Sequence, residues 1–125
     1  MFELDVESGF SAGHALRGYL GKCENWHGHN YKVRLTVVGN ALNELGLLCD
    51  FKDVKAAMKK VIGRLDHQSL NDLEPFREAN PSAENIARYL YREIGSIVLQ
   101  SSEQRAKVNR VKVWETEQNS VTYSE

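Results

Sequence analysis

The fold of this chain is decided by the stretch HGHNYKVRLTVV, residues 27–38, in which apolar and polar side chains alternate. Residues two apart on a β-strand point to the same face of the sheet. The apolar face carries Tyr31, Val33, Leu35 and Val37, and the polar face carries Lys32, Arg34 and Thr36. We predict a strand over roughly Asn30 to Val38 with one buried face. His27 and His29 continue the phase of that buried face.

A second histidine-bearing strand is predicted upstream, over roughly Phe2 to Ser11. Its apolar residues also alternate, and His14 falls in the same phase. A bulge at Gly9 or Gly13 would break that phase. Without a bulge, three of the four histidines of the chain lie on the buried faces of two neighbouring strands.

The rest of the chain predicts two helices followed by a hairpin. The first helix runs from about Asp50 or Phe51 to Gly63, and the second opens at Pro81 and Ser82. Their apolar stripes are Phe51, Val54, Met58, Val61 and Leu65 in the first helix, and Ile86, Leu90, Ile94, Ile97 and Val98 in the second. The hairpin strands are predicted over Val108 to Thr116 and Val121 to Tyr123.

The predicted order is strand, strand, helix, helix, strand, strand. Short connections make each strand pair an antiparallel hairpin. We therefore expect one α+β domain over residues 1–125, a four-stranded antiparallel sheet with two helices on one face. A sheet of this size with open edges favours self-association.

Bulk properties exclude several classes of protein. The 125 residues suffice for one modest core, and the formal net charge of −1 argues against a nucleic-acid partner. No apolar run approaches the roughly 20 residues that cross a bilayer, so we expect no membrane partner. The acidic N-terminus is unlike a secretion signal. We therefore expect a cytoplasmic protein in which Cys23 and Cys49 are reduced thiols.

The stretch CENWHGH, residues 23–29, indicates a metal site. Three neutral imidazoles, from His14, His27 and His29, are a common ligand set for catalytic zinc. Cys23 would then be a reactive thiol beside the metal, or alternatively a fourth ligand that closes a structural site. Zinc is preferred over copper and iron because nothing in the sequence suggests redox chemistry, although the sequence alone excludes neither.

Two further sites carry candidate chemistry. In Asp66-His67 a carboxylate can fix one imidazole tautomer for proton transfer, whereas the alternative is a helix-terminal cap beside an exposed histidine. Glu115 ends an apolar strand face, where it can accept two parallel hydrogen bonds from a guanidine-like ligand edge or pair with a lysine or arginine. Glu24 is either a partner for a histidine ligand or an exposed loop charge, and Cys49 is read as a small core residue.

Over nearly its whole length the chain resembles the family of 6-pyruvoyl-tetrahydropterin synthases and 6-carboxytetrahydropterin synthases. The matching segments are residues 10–14 (FSAGH), 23–31 (CENWHGHNY), 46–52 (GLLCDFK), 65–67 (LDH), 80–85 (NPSAEN) and 114–116 (WET). The combination of Cys-x-x-x-His-Gly-His with an upstream histidine and a downstream Asp-His is highly specific.

The resemblance implies a tunnelling fold, in which sheets of several subunits join into a barrel and trimers stack as a homohexamer with sites between subunits. It implies that the three histidines named above hold Zn²⁺. Cys23 would abstract a proton, with Asp66 and His67 as its relay. Glu115 would anchor the pterin ring of 7,8-dihydroneopterin triphosphate.

The motif spacing also favours one branch of this family. Three residues between Cys23 and His27 resemble the branch that makes 6-carboxy-5,6,7,8-tetrahydropterin for queuosine biosynthesis. Glu24 complicates this choice, because Glu-x-x-His-Gly-His resembles a branch that cleaves the side chain for folate synthesis. The alternatives are therefore that activity, a 6-pyruvoyl-tetrahydropterin synthase, and a non-enzymatic protein with a structural zinc site.

Overall fold

A computed structural model of the protein describes residues 1–18 and 25–125. Its main elements are β1 Phe2–His14, β2 His27–Gly39, α1 Phe51–Ile62, α2 Ala83–Ser101, β3 Lys107–Trp114 and β4 Ser120–Tyr123. Two single-turn 3₁₀ helices, Leu70–Asp72 and Glu74–Phe76, lie between α1 and α2. The strands form one antiparallel sheet in the order β1-β2-β3-β4. This confirms the predicted α+β architecture.

Strands β1 and β2 extend further than predicted and carry the three histidines. Their pairing is continuous from Phe2 opposite Gly39 to His14 opposite His27, without a bulge. A side chain at Gly9 would place its Cβ 2.8 Å from the carbonyl oxygen of Tyr31, so glycine permits the regular approach of the strands there. The predicted phase of His14 is therefore confirmed.

Both long helices begin at a side-chain cap. The Asp50 side chain accepts a hydrogen bond from the Lys52 amide, and the Ser82 side chain accepts one from the Asn85 amide. Two residues of the predicted α1 stripe are placed differently. Phe51 is half exposed because the first residue of the helix turns away from the core, and Leu65 is buried but lies beyond the helix end.

The core lies between the helices and one face of the sheet. The rings of Phe10 and Tyr31 stack across β1 and β2 with centroids 4.7 Å apart. Cys49 is buried in the same core, as predicted. The other sheet face is polar, with ion pairs such as Glu7–Arg34 and Glu3–Arg110. These pairs are exposed and contribute little to stability.

Neither long helix of the described part of the chain combines the length and the apolar character needed to cross a bilayer.

Candidate metal centre and active site

Three histidines lie close together at the end of the β1–β2 pair where β1 ends and β2 begins. His14 is the last residue of β1, His27 is the first residue of β2, and His29 lies two positions further along β2. Their ring centroids are 4.5 to 5.1 Å apart. One nitrogen of each ring lies within 4.8 Å of the others. In a tetrahedral zinc site with bonds of about 2.0–2.1 Å these atoms would be roughly 3.4 Å apart, so a small contraction would suffice.

Hydrogen bonds fix the tautomer of two of these rings. His14 Nδ1 lies 2.7 Å from the carbonyl oxygen of Pro81, and His27 Nδ1 lies 2.7 Å from that of Asn25. A carbonyl oxygen only accepts, so Nδ1 is the donor in each ring. The Nε2 atom of a neutral ring then keeps its lone pair. This is the arrangement in which histidines bind metals.

The free nitrogens of His14 and His29 are otherwise without a partner. Both Nε2 atoms are buried and make no hydrogen bond to any described residue. A buried polar atom without a partner costs free energy, and a metal ion bound to both atoms would remove that cost. The donor set and its geometry therefore fit the zinc ion that the sequence predicts.

The electrostatics of His29 suit a metal ligand. Burial lowers the pKa of His29, the Glu115 charge opposes this shift, and the neighbouring rings of His14 and His27 add to it. The imidazole is therefore neutral at neutral pH. Metal ligation requires the neutral form.

Glu115 follows β3 directly and lies against the histidine cluster. Its two carboxylate oxygens are 3.7 Å from His14 Nε2 and 3.7 Å from His29 Nε2, respectively. The side chain is 29% exposed, so a ligand can reach it. Among the described residues no lysine or arginine pairs with Glu115. Glu115, the predicted anchor of the ring, thus lies beside the predicted metal ligands. Strand phase alone did not predict this proximity.

A cleft borders Glu115 on the side of the α2 N-terminus. It has a volume of about 240 Å³, and its lining comprises Leu16, Ser82, Ala83, Glu84, Glu115, Asn119, Ser120 and Val121. Apolar side chains and a few polar groups are the usual lining of a ligand site. Glu115 is therefore accessible from this cleft.

Asp66 and His67 form the predicted carboxylate–imidazole pair. Asp66 Oδ1 lies 3.0 Å from His67 Nδ1 and accepts a hydrogen bond of 3.0 Å from the Ser11 amide. The Ser11 bond is the largest cause of a lowered pKa at Asp66, and His67 adds to it. The carboxylate is therefore ionised at neutral pH and holds one tautomer of the imidazole.

His67 is not one of the three clustered histidines, but an open cleft of about 450 Å³ is lined by both His67 and His29. Its backbone has a φ of 59°, and its side chain is 81% exposed. Its segment runs along the outer edge of β1, where the His67 amide donates to the Ser11 carbonyl oxygen and the Gly13 amide donates to that of Gln68. No contact within the described residues joins the His67 ring to the cluster. Cys23 and Glu24, the other predicted groups, lie outside the described residues.

Sequence reasoning missed two asparagines that brace the site. Asn71 exchanges hydrogen bonds with both backbone groups of Ala15, and Asn80 does the same with Arg17. They fix the chain that leaves His14 at the end of β1. Asn80 belongs to the family-like segment 80–85 and Asn71 lies four residues after the segment 65–67, but an asparagine side chain that bonds to a distant backbone leaves no periodic signal in a sequence.

Tyr31 was predicted only as a core residue, yet it borders the cluster. Its ring centroid is 5.6 Å from that of His29 and 6.0 Å from that of His14. The side chain is buried and its hydroxyl has no hydrogen-bond partner among the described residues. Burial raises the pKa of Tyr31, and the Glu115 charge raises it further, so the hydroxyl stays protonated.

The fold and the site together define an α+β protein in which a three-histidine cluster with metal-ligand geometry lies beside a partly exposed carboxylate. The sequence pattern of the 6-pyruvoyl tetrahydropterin synthase family matches residues 3–125. The chain therefore belongs to this family.

Similar proteins carry pterin synthase names. A 6-carboxy-5,6,7,8-tetrahydropterin synthase from Haemophilus influenzae is 27% identical over the full length of both chains. A putative 6-carboxy-5,6,7,8-tetrahydropterin synthase from Archaeoglobus fulgidus is 32% identical, covering 91% of this chain and 88% of its own. A 6-pyruvoyl tetrahydrobiopterin synthase from Drosophila melanogaster is 36% identical, covering 83% of this chain and 62% of its own.

Solved structures confirm the tunnelling fold. Caenorhabditis elegans 6-pyruvoyl tetrahydropterin synthase superposes with a TM-score of 0.88 and 27% identity, covering 99% of this chain and 95% of its own. A Plasmodium vivax 6-pyruvoyltetrahydropterin synthase, in which a catalytic glutamate is replaced by alanine, superposes with a TM-score of 0.77 and 27% identity. It covers 99% of this chain and 97% of its own.

Proposed function

We propose that the protein is a zinc-dependent lyase that converts 7,8-dihydroneopterin triphosphate to 6-carboxy-5,6,7,8-tetrahydropterin, with loss of triphosphate and acetaldehyde. The proposal is carried by the convergence of the His14, His27 and His29 nitrogens with the Glu115 carboxylate beside an open cleft. The names of the Haemophilus and Archaeoglobus relatives support this branch, and so does the three-residue spacing from Cys23 to His27. The product would serve queuosine biosynthesis in the cytoplasm.

The geometry supports a role for the metal and a role for Glu115 as the ring anchor. When bound, zinc would polarise the hydroxyl groups of the substrate side chain and so make the adjacent C–H bonds more acidic. His14, His27 and His29 would hold the ion through Nε2. Glu115 would accept hydrogen bonds from the ring amide and the exocyclic amine, which places the side chain of the substrate at the metal.

Proton transfer would fall to Cys23 and His67. A thiolate near a cation has a lowered pKa and can act as a base. His67, fixed by Asp66, would exchange that proton through its second nitrogen.

His67 would act in a site completed by another subunit. Its ring is exposed beside the edge of β1 and faces an open cleft that His29 also lines. Residues 67–69 pair with the outer edge of β1 only near Ser11 and Gly13, so the rest of this edge strand offers a surface on which a second copy can pair. We therefore propose a homohexamer of two trimers in which sheets join into a barrel, with each site built by more than one chain.

A second candidate activity is supported by Glu24. This residue precedes His27 by three positions, and a glutamate is the catalytic residue replaced in the Plasmodium vivax structure. In this alternative Glu24 is the base, and the product is a pyruvoyl or side-chain-cleaved pterin. The non-enzymatic alternative is a structural zinc site closed by Cys23.

Product identification separates these activities. The protein, loaded with one zinc per chain, is incubated with 7,8-dihydroneopterin triphosphate, and the pterins are identified by mass spectrometry. We expect the wild type and Glu24→Gln to form 6-carboxytetrahydropterin and acetaldehyde, and we expect Cys23→Ala to form neither. A pyruvoyl or cleaved pterin that disappears in Glu24→Gln would favour the second activity. No turnover, together with zinc loss in Cys23→Ala, would favour the structural site.

A further inference from the structure

Three buried polar side-chain atoms of the described residues have no hydrogen-bond partner, and all three lie at one site. They are His14 Nε2, His29 Nε2 and the hydroxyl oxygen of Tyr31. A metal accounts for the two nitrogens, but a tyrosine hydroxyl is not among the usual zinc ligands. An unpaired buried hydroxyl is unfavourable. The Tyr31 hydroxyl therefore requires a partner other than the metal.

Tyr31 and Glu115 lie next to the end of the β2–β3 pairing. The paired register ends at Lys32 opposite Trp114, and its continuation by one residue would set Tyr31 opposite Glu115. Directly opposed residues project from the same face, with Cβ atoms about 4.5–5.5 Å apart. The Tyr31 ring is stacked on Phe10 and only 2% of the residue is exposed, so the hydroxyl has little freedom to move.

Glu115 raises a chemical difficulty that Tyr31 can resolve. Its carboxylate lies 3.7 Å from two histidine nitrogens, close to where a fourth zinc ligand would sit. A zinc ion closed by three histidines and a carboxylate has no position left for a substrate, whereas a catalytic zinc keeps one open. A group that holds the carboxylate off the metal would keep that position open.

We propose that Tyr31 is a positioning residue, whose hydroxyl donates a hydrogen bond to the Glu115 carboxylate in the metal-loaded site. This bond keeps Glu115 off the zinc ion and directs it to the adjoining cleft. The inference rests on the proposed function in taking the cluster as a catalytic zinc site. It assigns Tyr31 no direct contact with the reacting atoms.

The metal alone provides the first test. Zinc affinity is measured by competition with a chelator, and the ligand geometry by the visible absorption of bound Co²⁺. Without its hydrogen bond the carboxylate would be free to coordinate, so Tyr31→Phe should bind zinc more tightly, on the order of tenfold and up to a hundredfold. Its Co²⁺ spectrum should differ from that of the wild type. Tyr91→Phe, which alters a buried tyrosine on α2, is the matched control and should change neither.

A double-mutant cycle links the effect to Glu115. In the Glu115→Gln background, Tyr31→Phe should no longer tighten zinc binding, because no carboxylate remains to be released. Glu115→Gln alone should leave the wild-type Co²⁺ spectrum unchanged. A changed spectrum in this variant would show that Glu115 already ligates the metal, and it would overturn the inference even if Tyr31→Phe did not fold.

Pterin binding provides the third test of the role of Tyr31. Tyr31→Phe should weaken the affinity for 7,8-dihydroneopterin triphosphate, measured by calorimetry at saturating zinc, while metal-free thermal stability stays near that of the wild type. Zinc affinity and Co²⁺ spectrum identical in Tyr31→Phe and the wild type would refute the role of Tyr31. If the wild type binds zinc but no pterin, the proposed function fails, and the metal experiments still decide the role of Tyr31.

Discussion

His14 and His27 should contribute equally to metal binding but unequally to the stability of the metal-free protein. His14 is 1% exposed and its Nδ1 bonds to Pro81, which is 67 residues away in the sequence. His27 is only partly buried, and its Nδ1 bonds to Asn25, two residues away. We expect both His14→Ala and His27→Ala to lose bound zinc. Only His14→Ala should also lose substantial stability without metal.

The magnitude follows from what each change removes. His14→Ala leaves the Pro81 carbonyl oxygen without its partner, at a cost of about 1–3 kcal/mol, and adds a cavity at a fully buried position. Together we expect a loss of about 2–4 kcal/mol. His27→Ala removes a local, exposed hydrogen bond, so the loss should be under about 1 kcal/mol. For a chain of this size the difference corresponds to roughly 10 °C in melting temperature.

The assay is chemical denaturation of both variants and the wild type after removal of metal, with zinc content measured separately. Equal destabilisation by the two variants would refute the idea that the buried hydrogen bond from His14 to Pro81 stabilises the metal-free fold. Full zinc occupancy in either variant would refute the three-histidine ligand set itself.

The remaining predictions concern the acid–base and ring-binding groups. Cys23→Ala should keep its zinc and lose turnover, and zinc loss or unfolding would instead indicate a closed four-ligand site. Glu115→Gln should weaken pterin binding about ten- to a hundredfold in calorimetry, because one acceptor oxygen becomes a donor facing the ligand; unchanged affinity would place the ring elsewhere. The Ser11 amide and His67 lower the pKa of Asp66, so its stabilisation is present above the ordinary carboxyl pKa of about 3.9 and is lost as the pH falls below it. Denaturation midpoints between about pH 5 and pH 3 should therefore fall more steeply for the wild type than for Asp66→Asn, and parallel curves would contradict this.

Strand periodicity predicted the histidine cluster because side-chain alternation is a direct consequence of strand geometry. Once β1 and β2 pair without a bulge, His14, His27 and His29 must share one face. The strand ends were less accurate. Glycines and polar residues next to the histidines weaken the local strand preference, and pairing with the partner strand overrides that preference.

The surroundings of the cluster were not predictable from the same pattern. Pro81 and Asn71 reach the site from a connection that has little periodic structure. Glu115 was selected for its position at the end of an apolar strand face, but its distance to the histidines depends on how β3 pairs with β2. Long-range register and loop hydrogen bonds arise only in the folded chain, so a single sequence carries little sign of them.

The cluster depends on several elements that are far apart in the sequence. β1 supplies His14, β2 supplies His27 and His29, the end of β3 supplies Glu115, and the Pro81 carbonyl oxygen before α2 orients His14. The three nitrogens come together only when β1 and β2 pair, and the Pro81 carbonyl oxygen then fixes the orientation of His14. An unfolded chain therefore offers a much poorer metal site than the folded one. A ligand that binds only the folded state raises the free energy of unfolding, and the increase grows with the logarithm of the ratio of ligand concentration to Kd. Metal binding and the folding of this sheet are therefore thermodynamically coupled.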